Sequence, residues 1–84
     1  MISDYEHMLI SALRYALGRR TYIVELTCRY IERQMPILSN KCKNIMIEDI
    51  EDQEEFGYGD ECDKEDWMQL LKRLKEQKGK ENEI

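Results

Sequence analysis

His7, Cys28, Cys42 and Cys62 are the side chains of this sequence best suited to hold zinc or to pair a nucleophile with its base. Structural zinc usually takes ligands in pairs two to four residues apart. Here each candidate stands at least fourteen residues from the next, and no Cys-x-x-Cys occurs. Cys28 and Cys42 fall on apolar stripes, where a thiol behaves as a small core residue. A calcium loop opening at Asp52 would place Glu54, Gly57 and Asp63 at its third, sixth and twelfth positions. It fails at Phe56, which stands where an oxygen ligand is needed, and at the twelfth position, which calls for a bidentate Glu. Gly57 and Gly59 lack the following Lys-Ser/Thr of a phosphate loop. The expectation is a protein with no metal, no cofactor and no catalytic residue, hence not an enzyme.

Charge offers two further sites. Arg14, Arg19 and Arg20, with Arg29 near them, could cradle an anion or nucleotide, with Tyr15 and Tyr22 supplying ring faces. The start of a helix at Tyr22 would add amide donors. The competing expectation is that these arginines pair internally with Asp49 and the acidic residues 48–66. The second site is a row of carboxylates. Glu48, Glu51, Asp52 and Glu55 recur at three- and four-residue spacing, and Asp60, Glu61, Asp63, Glu65 and Asp66 continue them. On one rigid helix such a row imitates a line of backbone phosphates and fits a basic groove on another protein. A face kept charged for solubility is the plainer alternative.

Helices must position both sites. Ser3 and Glu6 make a capping box. Tyr5, Met8, Leu9, Ala12, Leu13 and Ala16 then mark one helical face, which Ile10 and Leu17 widen. His7, Ser11 and Arg14 form its polar side. A helix apolar over so wide an arc is either central or covered by a second chain, so a homodimer through this helix is a further expectation. Gly18 closes it. Thr21 reads as the N-cap of a second helix with Ile23, Leu26, Tyr30 and Ile31 inward and Val24, Cys28 and Met35 widening the stripe. Glu25 with Arg29 makes a favourable pair on the opposite side, and Pro36 ends the helix. Ser39 caps a third helix with Cys42, Ile45, Met46 and Ile50 inward. Asp49 falls among these apolar residues, where a carboxylate needs a partner. Phe56–Gly59 reads as a loop. Asp63 then caps a last helix carrying Trp67, Leu70, Leu71 and Leu74. The prediction is all-α: a small bundle of about four short helices organised on an N-terminal hairpin, one domain over 1–75, and a disordered polar tail over 76–84.

Eighty-four residues, 42% hydrophobic and 37% charged, suit such a domain. A chain this small has a marginal core that disulfides, metals or a partner often reinforce. The net charge of −5 divides unevenly: +3 over residues 1–44, −10 over 45–66 and +2 over 67–84. Single-sign blocks of this kind mark interaction surfaces. Duplex nucleic acid is a poor direct partner, because binding it requires neutralising phosphates with Lys and Arg. No charged region leads into an apolar stretch at the N-terminus, and no run of eighteen apolar residues occurs, so neither a leader nor a membrane span is expected. Reduced thiols in a cytoplasm suit the odd cysteine count.

Ala12-Leu13-Arg14-Tyr15-Ala16-Leu17-Gly18-Arg19-Arg20-Thr21-Tyr22, then Tyr58-Gly59-Asp60-Glu61-Cys62-Asp63 with Trp67, resemble segments of small uncharacterised proteins of phages and prophages of Gram-positive bacteria. The similarity covers most of residues 4–75 and carries no known site. It implies a phage setting, where very small acidic proteins often neutralise host machinery, CRISPR nucleases included. The expected function is therefore an inhibitor that binds a host protein with a basic surface, in the host cytoplasm, through its acidic face.

Overall fold

The computed structural model describes residues 1–82, with side chains through Gln77. Among the described residues there are four α-helices: α1 (Asp4–Ala16), α2 (Tyr22–Gln34), α3 (Asn40–Asp52) and α4 (Glu61–Asn82). Short 3₁₀ turns at Met35–Ile37 and Gln53–Glu55 follow α2 and α3. The protein is an all-α bundle. Helix α4 packs on α3 and α2, and α1 packs on α2 and α3. The helices thus form a ring in the order α1, α2, α4, α3, with the hairpin α1–α2 on one side and α3–α4 on the other.

Local chemistry sets most of these boundaries. Ser3 Oγ accepts from the Glu6 amide at 3.1 Å, and Glu6 Oε1 accepts from the Ser3 amide at 3.0 Å. This reciprocal cap opens α1. Gly18, at φ +85°, lets the chain turn as Arg19 N–H donates to Ala16 O. Ser39 Oγ accepts from the Cys42 amide and opens α3. Glu6 also joins two of these caps, since its Oε2 accepts from the Ser39 amide at 2.7 Å. One carboxylate therefore ties the start of α1 to the start of α3.

The core runs through the centre of the ring. Leu13, Ala16, Val24, Met46, Ile50, Trp67, Leu70 and Leu74 are all sealed from solvent. Tyr58 closes one end, its hydroxyl donating to Ile50 O at 2.7 Å. Burial on this scale is the main favourable term in folding, at roughly 25 cal/mol per Å² of apolar surface.

The structure corrects the expected register of α2. Val24, Cys28, Ile31 and Met35 face the core, while Ile23, Leu26 and Tyr30 remain exposed. Two apolar stripes at helical spacing compete on this helix, and the one facing both α1 and α4 is buried. Thr21 makes no side-chain cap; it sits at φ +50°, and its amide donates to Asp63 Oδ1 at 2.8 Å. The last helix starts at Glu61, before Asp63, and the carboxylate of Asp60 accepts from the Asp63 amide. Asp60 thus takes the capping role expected of Asp63. Helix α4 continues to Asn82, into the stretch expected as a tail, while residues 83–84 lie outside the described residues.

Candidate acidic interface

Helix α3 presents its acidic row as a consequence of how its other side is buried. Cys42, Met46, Ile47 and Ile50 turn inward, which leaves Glu48, Glu51 and Asp52 on the solvent side. Glu55, in the 3₁₀ turn, extends the row, and Asp60 and Glu61 continue it at the start of α4. Glu51 pairs with Lys75 of α4 at 2.9 Å. Among the described residues Glu48, Asp52, Glu55 and Glu61 have no cationic partner. Phe56 lies within this acidic stretch and is 80% exposed.

Asp63 does not belong to the outward face. It is 1% exposed, with Oδ1 on the Thr21 amide and Oδ2 enclosed without a hydrogen bond. The physical reason is the corner between α1 and α2: its amide needs an acceptor, and a carboxylate in the first turn of α4 reaches it while favouring the helix dipole. Asp49 is also turned inward. It receives Arg14 Nε at 2.8 Å, which is the internal pairing expected for that arginine.

The remaining arginines of the corner are dispersed in role. Arg19 stacks over the Tyr15 ring at 4.5 Å from its centroid, and Arg20 is exposed. With Arg14 held by Asp49 and the Thr21 amide held by Asp63, the protein supplies its own carboxylates to two of the anion-attracting groups of the corner.

Folding adds acids that the linear pattern did not join. Glu25 and Glu32 of α2 line a polar cleft with Glu65 and Asp66 of α4. The sequence signal was present only as separate helix faces, and Arg29, paired with Glu25, lines the same cleft. Burial first, then the charges of Glu25, Asp63 and Glu65, push the Asp66 carboxyl above the usual carboxylate range. The acidic field therefore wraps from α3 around the start of α4.

The thiols report on the same field. Burial pushes the Cys28 thiol far up and the Cys42 thiol up to about 12. Cys62 is exposed, and the neighbouring Asp60 charge is the leading cause of its raised pKa. We expect iodoacetamide at mildly alkaline pH to modify one thiol in the native protein and all three after denaturation. Cys62 should react several-fold more slowly than cysteine in an unstructured peptide, and added salt should narrow that gap by screening Asp60. Intact-mass and peptide-mass spectrometry over time check both expectations.

Among the described residues no group of three or more His, Cys, Asp and Glu side chains is placed to hold a metal ion, and no helix is long and apolar enough to cross a membrane. What the arrangement offers chemically is a fixed anionic surface with an aromatic side chain inside it, suited to guanidinium and ammonium groups. No protein-family model, curated protein or solved structure matches this chain.

Proposed function

We propose that this protein is a non-enzymatic, phage-type inhibitor that binds a basic surface of a host defence or nucleic-acid-handling protein in the host cytoplasm. The observation that carries the reading is the outer row of α3 and the start of α4, where Glu48, Asp52, Glu55 and Glu61 have no cationic partner among the described residues. Glu48 and Asp52 stand on α3, Glu55 in the 3₁₀ turn that follows it and Glu61 at the start of α4, so a partner that binds nucleic acid through a basic groove would meet a ready-made substitute for phosphates. Phe56 strengthens the case against a face kept only for solubility. A large exposed aromatic works against solubility, yet it suits the desolvated centre of an interface.

The test is charge reversal. The triple variant Glu48→Lys, Asp52→Lys and Glu55→Lys leaves every described ion pair in place. We expect the wild-type protein to capture a basic protein from Gram-positive host lysate at low salt and to release it at high salt. The triple variant should weaken that complex by at least about a hundredfold, which corresponds to roughly 3 kcal/mol, with its helical circular dichroism unchanged. Equal capture by wild type and variant would remove this surface from the function.

A further inference from the structure

The hairpin side of the ring carries a second surface of opposite character. On α1, Met8, Ala12 and Tyr15 follow one another at four- and three-residue spacing, and all three are exposed. On α2, Ile23, Leu26 and Tyr30 do the same at three and four. Ala12, Leu26 and Tyr30 line one open groove of about 330 Å³ whose floor includes the core residues Leu9 and Ile31. The two stripes therefore adjoin. At the open end of the hairpin the Tyr5 and Tyr30 hydroxyls meet at 2.6 Å and bridge the helices.

Isolated exposed apolar side chains are ordinary, whereas a continuous patch is not. Met8 and Tyr22 are 68% and 69% exposed, Tyr15 58%, and Leu26 and Tyr30 42% each, with Ile23 at 37%. At about 200 Å² for a large side chain, these fractions leave roughly 600 Å² of mostly apolar surface. A standard interface needs about 800 Å² per partner, of which a polar rim supplies the balance. One patch on a chain of this size is therefore sufficient for a stable contact.

We propose that this patch is a self-association surface, on which a second copy of the chain packs across a two-fold axis with the two hairpins antiparallel. A two-fold contact requires one patch to carry both ridge and groove. Here Leu26, 42% exposed on α2, lines the same groove as the small Ala12 on α1, so in this pairing Leu26 of each copy seats over Ala12 of the other. Charge fixes the direction. Asp4 and Arg33 lie at the open end of the hairpin and Arg19 and Arg20 at its corner, all four exposed. An antiparallel pairing sets the open end, where the two charges cancel, against the corner, whereas a parallel pairing sets the corner arginines of the two copies against each other. The contact extends a core that is small for an independent domain. Since α3 and α4 lie on the far side of the ring, the dimer keeps an acidic surface outward on each copy. The inference stands apart from the proposed inhibition, because it rests on α1 and α2 alone.

Sedimentation velocity of the full chain from low to high micromolar concentration tests it. The expected result is twice the protomer mass at the upper end, at both low and high salt, because the contact is chiefly apolar. Leu26→Glu should raise the dimer dissociation constant at least about a hundredfold, since each substitution acts twice across a two-fold axis. Leu26 is partly exposed, so the variant should keep its helical circular dichroism, and Met8→Glu on the other helix provides an independent check. The triple variant of the acidic row should remain dimeric. A protomer mass throughout the range, or a dimer that survives both Leu26→Glu and Met8→Glu, would overturn the proposal.

Discussion

Gly59→Ala is expected to lower the unfolding free energy by about 3 kcal/mol, from two sources that can be separated. Gly59 has φ +94°, a conformation that costs an L-residue roughly 1–2 kcal/mol. A methyl group at this position would also stand 2.8 Å from Asp63 Oδ2. That oxygen cannot simply swing away. Asp63 is buried, and its Oδ1 is fixed on the Thr21 amide, so the chain would have to move the start of α4 or break the corner bond. Overpacking of this kind costs about 1–3 kcal/mol. Against a total stability on the order of 5–10 kcal/mol for a domain of this size, the loss is large.

A double-mutant cycle with Asp63→Ala isolates the contact. Removing the carboxylate gives up the charge-assisted bond to Thr21, worth roughly 1.5–3 kcal/mol, but also removes a buried oxygen that has no hydrogen bond. The net cost of Asp63→Ala should therefore be smaller, on the order of 1–2 kcal/mol. In that background Gly59→Ala should cost only its backbone strain, giving a coupling of at least about 1 kcal/mol. Urea unfolding followed by fluorescence of Trp67, the sole tryptophan and fully buried, measures all four corners. A neutral Gly59→Ala would mean that Asp63 is not held where the structure places it.

The same corner shows where sequence reasoning stops. Asp60 and Asp63 lie three residues apart, and each has the grammar of an N-cap. Nothing local chooses between them. The choice falls to the amide of Thr21, forty-two residues away, which donates to the buried Asp63 carboxylate. Helix α2 poses a similar ambiguity, since 23, 26 and 30 and 24, 28, 31 and 35 are both apolar stripes of helical period. Only the positions of α1 and α4 decide which is buried. Where one local device dominates, the sequence was sufficient: Ser3 with Glu6, Gly18, Ser39 and the outward row of α3 stand as expected. The acidic surface was legible as a row along one helix. Its extension by Glu25 and Glu32 was not, because these residues join Glu65 and Asp66 only when α2 meets α4.

Glu6→Gln is expected to cost roughly 2–3 kcal/mol at neutral pH, and the cost should vanish in acid. Burial alone would raise the Glu6 pKa, but the bonds from the Ser3 and Ser39 amides and hydroxyls outweigh it and hold the carboxyl at about 2, below its ordinary 4.5. A depressed folded-state pKa means that the unfolded chain takes up the proton first. The contribution of Glu6 is thus fully present above pH about 4.5 and is lost progressively as pH falls towards 2. Glutamine keeps one acceptor oxygen but presents an amide group to the second donor, so one of the two caps loses its partner. Because those caps open different helices, the loss falls on the start of α1 or on the start of α3, whichever donor meets the amide group. Asp66 works in the opposite sense: burial raises its pKa, so it weakens the fold when charged and ceases to do so when protonated. Asp66→Asn should accordingly stabilise the protein at neutral pH and steepen its net loss of stability in acid. Urea midpoints measured from neutral pH to about pH 2 distinguish these effects. Curves for wild type and Glu6→Gln that stay parallel through this window would show that Glu6 does not bind its two caps as a carboxylate.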